Sequence, residues 1–355
     1  MFFEISLLFA ISFLALFLLR KLAKIIGLVD KPNLRKQHKG SIPLVGGISI
    51  FLVFSLFLLF KPLYLIDSTV YLLSMMFLVF IGVLDDKFDV SYKLRFFIQS
   101  VLSLIMMLIA DIQLHTIGNI FGFGDIDLGV TGYLITTIAV IAAINAFNMV
   151  DGIDGLLGGL SIVTFGGLGL ILGLDGQSNM SYLCMVLIVI ILPYVFMNLG
   201  LLGHKRKVFM GDAGSMFIGF TVIWFLLLSS QNGHDAPLRP VTALWLIALP
   251  LMDMAAIMIR RIKNGNSPFK PDREHLHHII QRLGFNCNHT LFIICFVAIC
   301  FAAFGIYGEV NGLPESLMFY AFIFCFFVYL KIVSKASSYE GDAKSSIIQA
   351  ITRNK

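Results

Sequence analysis

Apolar stretches about as long as a bilayer is thick recur along the whole chain, and each closes on a short polar or charged segment. Eleven can be set out, at roughly 2–20, 44–60, 68–84, 95–111, 129–147, 156–174, 180–200, 213–230, 240–259, 290–308 and 316–333. A helix needs about 20 residues, at 1.5 Å each, to cross a hydrocarbon layer of ~30 Å. The stretches are rich in Phe, Leu and Ile and lack the period-two alternation of barrel strands, so each is expected to be helical. No low-complexity linker and no fixed-period repeat interrupts them. The pattern predicts an all-α polytopic membrane protein with about eleven transmembrane helices, organised as a single domain over residues 1–355.

Composition agrees. The chain is 58% hydrophobic and only 13% charged, against about a quarter charged in soluble domains. Net charge is +5, which by itself would admit a nucleic-acid partner, but the basic residues are distributed by topology. Alternate connections, with the flanking span ends, hold 24 of the 26 Lys and Arg; the other side holds Lys61 and Arg239. That asymmetry places the N-terminus in the periplasm and the C-terminus in the cytosol, and no nucleic-acid partner is expected. Five cysteines (184, 287, 295, 300 and 325) show no paired spacing and predict neither a disulfide framework nor a zinc site. Residues 1–19 lack a basic leader and read as a retained first span.

The polar residues that topology does not explain all fall on the cytosolic side of this map. Asp85, Asp86 and Asp89 end the third span; Asp85 and Asp89, four apart, can share a helix face and suit a divalent cation or a general base. Asn145, Asn148, Asp151 and Asp154, with Gly152 and Gly155, end the fifth. Helical spacing puts the two amides and one carboxylate on one face, and oxygens of this kind are what Mg²⁺ prefers. Helix capping explains two of these six residues at most. The segment 208–215, with Phe209 and Asp212, opens the eighth span; Asp212 is placed as an N-cap, beside N–H groups free to take an anion. Arg260, Arg261, Asp272, Arg273, His275, His277 and His278 follow the ninth. Without an HExxH or a cysteine partner the histidines fit phosphate recognition better than zinc. Residues 30–47, basic and ending in Pro43 and Gly46-Gly47, are expected to form a fixed turn walling a nucleotide pocket. Inside a span only Asp253 stands out, and it is expected to pair with Arg260 or with another helix.

Five stretches occur in order: DKPNLRKQHKGSIPLVGG (30–47), GVLDDKFD (82–89), NAFNMVDGIDGLLGGL (145–160), VFMGDAGS (208–215) and SPFKPDREHLHH (267–278). Together they resemble the polyprenyl-phosphate N-acetylhexosamine-1-phosphate transferases. The resemblance implies a bacterial inner-membrane enzyme facing the cytoplasm. It would transfer GlcNAc-1-phosphate from UDP-GlcNAc to undecaprenyl phosphate with release of UMP, at the start of a cell-surface polysaccharide such as O-antigen or enterobacterial common antigen. It implies Mg²⁺ as cofactor, with Mn²⁺ as a substitute, held by Asn148 and Asp212. Asp85 or Asp86 would orient or deprotonate the lipid phosphate, and Asp151 and Asp154 would shape the uridine and diphosphate site. Lys39 and Phe209 would contact uridine, with Asn145 lining the pocket. Arg261, Asp272, Arg273, His275, His277 and His278 would grip the diphosphate and sugar. A homodimer is compatible with all of this, and transfer can be direct or pass through an aspartyl-phosphate.

Three rival readings differ in kind. A transferase taking UDP-MurNAc-pentapeptide, or another UDP-N-acetyl sugar, shares the chemistry, although the HLHH loop resembles the N-acetylglucosamine branch more. A secondary transporter would place its charges near the midplane, often beside broken helices. An intramembrane metalloprotease lacks its metal motif.

Overall fold

The computed structural model describes residues 2–31, 40–231, 236–268 and 275–353, and side chains up to Lys335. Its elements are almost all helices: α1 (Phe2–Ile26), α2 (Gly46–Phe60), α3 (Ser68–Phe88), α4 (Tyr92–Ile109), α5 (Thr131–Val150), α6 (Leu156–Leu174) and α7 (Ser178–Asn198). Then come α8 (Asp212–Ser230), α9 (Pro240–Leu246), α10 (Ala248–Lys263), α11 (Leu276–Arg282), α12 (Cys287–Val310) and α13 (Glu315–Arg353). A two-stranded ribbon, β1 (Val29–Asp30) with β2 (Ile42–Pro43), precedes α2.

Among the described residues nine helices are long and apolar enough to cross a membrane, and the bent pair α9–α10 makes a tenth. The stretch 44–60 becomes the fifteen-residue α2, apolar but short. The ninth apolar stretch is not one straight helix: α9 and α10 meet at 79° around Ile247. Hydrophobic periodicity does not mark that break, because both halves are apolar, but Pro250 does: it has no N–H for the Leu246 carbonyl four residues back, which accepts the Thr164 hydroxyl instead (3.2 Å).

Helix α8 is the axis. Almost every residue of it is buried, and it packs against α5, α3 and α2. The α2 contact is close enough to dictate sequence: a Cβ on Gly47 would lie 1.9 Å from the Gly214 α-carbon, so both positions need glycine. The outermost helices present Leu, Ile and Phe side chains outward, as on α1, α4 and α13, a surface that hydrocarbon accepts and water would not. Because α8 runs away from its start at Asp212 while α3 and α5 run towards it, the ends of α3 and α5 gather around the start of α8.

Candidate active site at the start of helix α8

The site begins with a backbone stitch. The Phe209 N–H donates to the Pro43 carbonyl (2.9 Å), Gly46 N–H to the Phe209 carbonyl (2.9 Å) and Gly47 N–H to the Met210 carbonyl (3.0 Å). The Pro/Gly turn therefore lies against the segment entering α8. Asn198, at the end of α7, fastens the same segment from the other side: its Nδ2 donates to the Val208 carbonyl (2.8 Å) and its Oδ1 accepts from Gly155 N–H (2.5 Å). One amide thus ties the entry to α8 to the turn before α6.

Gly211, at φ 76°, is the N-cap, and Asp212 is the first helical residue rather than the cap expected from sequence. The capping carboxylate comes from α3. Asp86 accepts the N–H of Asp212 (2.8 Å) and of Ala213 (3.3 Å). The N–H groups expected to be open to a ligand anion are therefore filled by the protein's own anion.

This frees the Asp212 carboxylate to turn towards α5. Asn148 Nδ2 donates to Asp212 Oδ1 (2.6 Å) and to Ser215 Oγ (2.7 Å). With its nitrogen committed, the carbonyl oxygen is the atom that Asn148 can offer a cation. Asn145, expected on the same face, points elsewhere: its Nδ2 donates to Gln99 Oε1 (2.9 Å) and to the Ile141 carbonyl (2.7 Å), which fastens α5 to α4.

The other carboxylates divide by partner. Asp85 is buried and accepts Val90 N–H (2.8 Å) and Arg95 Nη1 (2.6 Å), locking the turn from α3 to α4. Asp89, expected on a shared face with Asp85, instead closes α3 in the left-handed conformation, at φ 54°. Asp154 forms an ion pair with Lys207, whose ammonium also lies 5.3 Å from the centre of the Phe209 ring. Asp151 has no hydrogen bond or ion pair among the described residues and remains exposed. Its carboxyl is pushed up to about 7, first by removal from bulk water between the protein walls and then by the charges of Asp212 and Asp154. The side chain keeps access to water, so the crowding comes from the walls and not from full enclosure, and the two negative neighbours secure the upward direction.

Helix α11 brings the histidines to this end. A Cβ on Gly152 would lie 2.1 Å from His277 Nε2, so only glycine lets the Asp151–Gly152 turn pass beneath that ring. His277 is buried, and its Nε2 has no hydrogen-bond partner among the described residues. Burial first, then the neighbouring His278 and His275, lowers its pKa to about 3, so the ring is neutral. Its plane stacks on that of His275, with centres 5.6 Å apart, and His278 lies 4.2 Å away. Arg261 is buried and donates from Nη1 to the Pro268 carbonyl (2.5 Å), which holds the start of the loop. Asp253 meets His275 and Tyr329, so its partners are the histidine segment and another helix. Lys39, Asp272 and Arg273 lie outside the described residues.

Asp86, Asn148 and Asp151 thus gather at Asp212, with the 43–47 turn against the segment entering α8 and α11 against the Asp151–Gly152 turn, and the comparisons with known proteins point the same way. Residues 68–230 match glycosyl transferase family 4. Three bacterial proteins named undecaprenyl-phosphate alpha-N-acetylglucosaminyl 1-phosphate transferase extend the likeness. The chain is 49% identical to that of Salmonella typhi over 334 residues, 94% of this chain and 91% of the relative. It is 50% identical to that of Escherichia coli K12 over 329 residues, 92% and 89%. Against that of Haemophilus influenzae it is 50% identical over 326 residues, 92% of each. The chain belongs to the polyprenyl-phosphate N-acetylhexosamine-1-phosphate transferases. It is an enzyme, and a multi-pass membrane protein.

Sequence reasoning missed several residues that organise this transferase site. Lys207, Arg95 and Tyr329 each position a carboxylate, and Asn198 and Ser215, although visible at the end of the seventh span and in the 208–215 stretch, carried no sign of their partners. A lone Asn at a span end, as at Asn198, was the available signal.

Among the described residues no three His, Cys, Asp or Glu side chains close into a metal cage. A site for Mg²⁺ needs none, because the ion keeps waters and takes one or two carboxylates with substrate phosphates. The donors present fit it: Asp212 has Asp86 and Asp151 as negative neighbours, and the Asn148 amide lies against it through Nδ2 (2.6 Å).

Proposed function

We propose that the chain transfers GlcNAc-1-phosphate from UDP-GlcNAc to undecaprenyl phosphate, giving undecaprenyl-diphosphate-GlcNAc and UMP. The product would begin a cell-surface polysaccharide. The observation that carries the reading is the convergence of Asp86, Asn148, Asp151 and Asp212 at the start of α8, with the histidine helix against the Asp151 turn. The shared name and half-identity of the relatives support the choice of donor and acceptor. The distribution of Lys and Arg supports eleven crossings of the bacterial inner membrane, with the site on the cytoplasmic side.

Asp212 and the Asn148 carbonyl would hold Mg²⁺, which supplies charge neutralisation for the diphosphate and the departing UMP. The chain's own groups arrange the rest. An oxygen of the lipid phosphate attacks the β-phosphorus of UDP-GlcNAc, and the bond from that phosphorus to the UMP oxygen breaks. A phosphate's second pKa is about 6, so little base strength is required at neutral pH. Both oxygens of Asp85 and of Asp86 already accept hydrogen bonds within the protein. We therefore assign to Asp151 the part first expected of them, orienting the lipid phosphate and taking any remaining proton. Asp154, held by Lys207, keeps that lysine beside Phe209, where a uridine ring would stack. Arg261 would contact the diphosphate and His275 the sugar.

The reading is tested by UMP release from purified enzyme with undecaprenyl phosphate, Mg²⁺ and a panel of UDP-sugars. Release with UDP-GlcNAc is expected. Release only with UDP-MurNAc-pentapeptide overturns the donor assignment, and ping-pong kinetics with UMP leaving before lipid binds overturns direct attack.

A further inference from the structure

We propose that Asp253, with Tyr329 behind it, is a positioning residue for His275: it makes Nδ1 the protonated ring nitrogen and leaves Nε2 an acceptor for a hydroxyl of the substrate sugar. The proposal rests on the reading above, in which His275 meets the sugar.

Asp253 sits in α10 among Met252, Met254, Ala256 and Ile257 and is only 2% exposed. A carboxylate so far from water persists only when its oxygens are filled by donors. Its Oδ1 accepts the Leu276 N–H (3.1 Å) and the Tyr329 hydroxyl (2.7 Å), and its Oδ2 lies 2.9 Å from His275 Nδ1. These donors come from the segment entering α11, from α11 itself and from α13. A carboxylate can only accept, so the third contact requires Nδ1 to carry the proton. The hydrogen bond on one imidazole nitrogen decides the state of the other. His275 therefore reaches the site with its orientation and tautomer already set, both by a group that cannot touch the substrate itself.

A plainer role is available: Asp253 as an anchor that starts α11 and ties it to α13. That role explains Oδ1 and its two donors. It does not need the second oxygen to meet the ring, and it predicts that the His275 tautomer is indifferent to residue 253. The two roles separate in Asp253→Asn. The Asn carbonyl oxygen can keep the Leu276 and Tyr329 donors while its NH₂ faces Nδ1, which must then accept, and the proton moves to Nε2.

The experiment uses full-length enzyme in detergent with ¹⁵N-labelled histidine, the His275 signals being assigned by their loss in His275→Gln. At alkaline pH, wild type is expected to show a protonated Nδ1 and Asp253→Asn a protonated Nε2. Loss of an outer partner of this kind typically costs 10–100-fold. Roughly that fall in kcat is expected in Asp253→Asn, with KM for UDP-GlcNAc changed by no more than about threefold. Tyr329→Phe keeps the wild-type tautomer and loses less. An unprotonated Nδ1 in wild type, or a flipped tautomer with more than half of kcat retained, overturns the proposal. If Asp253→Asn does not fold, the wild-type spectrum and Tyr329→Phe decide, and a Tyr329→Phe enzyme of unchanged kcat overturns the part given to Tyr329. Wild type that shows a protonated Nδ1 but releases no UMP from UDP-GlcNAc overturns the donor assignment and leaves the dyad standing.

Discussion

The two polar ends of the helix bundle are built on opposite plans. At the end away from α8's start, Arg239 donates to Glu309 Oε1 (3.0 Å), to the Leu313 carbonyl (2.6 Å) and to the Gly308 carbonyl (2.8 Å), while Thr242 donates to the same Glu309. Gln231 accepts the N–H groups of His115 (2.9 Å) and Thr116 (3.2 Å) and returns its own NH₂ to the Thr116 carbonyl (3.2 Å). The charge of Arg239 is answered there by Glu309, and Glu315, which has Asp125 and Glu309 as negative neighbours, also has Arg239 near it. At the start of α8 Asp86 and Asp151 each face Asp212, and Asp151 stays open to water. Satisfied polar networks hold folds together, whereas like charges held close are tolerated where a ligand will relieve them. The contrast separates scaffold from site without appeal to any motif.

The sharpest way to break it is Asp212→Asn. Activity should fall by about 10³-fold or more as the anionic metal ligand is lost, and the response to Mg²⁺ should vanish with it. The thermal midpoint should hold or rise, because a like charge has been removed. Retained activity would show that the metal is held elsewhere. Gly152→Ala should come next, with kcat/KM down by roughly tenfold as the new Cβ displaces His277. Gly152→Ala with His277→Ala should recover part of that loss, and a strictly additive pair would deny the contact.

These two sites also show how much could be read from the chain. Asp212, Asn148 and the order of the polar clusters were legible, since a chain so poor in charge places an acid at a span end for a reason. Most of the apolar stretches were legible as helices able to cross a membrane, because length and hydropathy decide them; among the described residues nine helices do so, while the ninth stretch is bent and 44–60 is short. The cap that Asp86 gives to α8 was not legible, since a contact across 126 residues leaves no local spacing. The same holds for the removal of Asn145 to Gln99. Both depend on which neighbour a helix face meets, and periodicity is blind to that, whereas the break at Ile247 has its signal in Pro250.

At the other end, Arg239→Gln should act on stability alone. Leaving Glu309 partly unanswered in a half-buried setting should cost about 1–3 kcal/mol, read as a lower thermal midpoint, with kcat/KM of the surviving enzyme unchanged. A changed KM would mean that the two ends are coupled. The smallest expected effect is a slope with pH. His277 holds its proton less tightly when folded, at about 3 against an ordinary 6.5. Between those values the unfolded chain binds the extra proton, so stability should fall as pH drops below about 6.5 and be flat above it. His277→Gln should flatten that slope in thermal unfolding from pH 5 to 8.

The borrowed cap on α8 has a consequence for assembly. Before α3 is in place only water can answer the first N–H groups of α8, and Asp86 replaces that water to complete the start of the helix. Its seat exists only once α3 is in place. Chain order during synthesis satisfies this requirement, since α3 leaves the ribosome first. A circular permutant beginning at α4 would deliver α8 to the membrane ahead of the carboxylate that starts it.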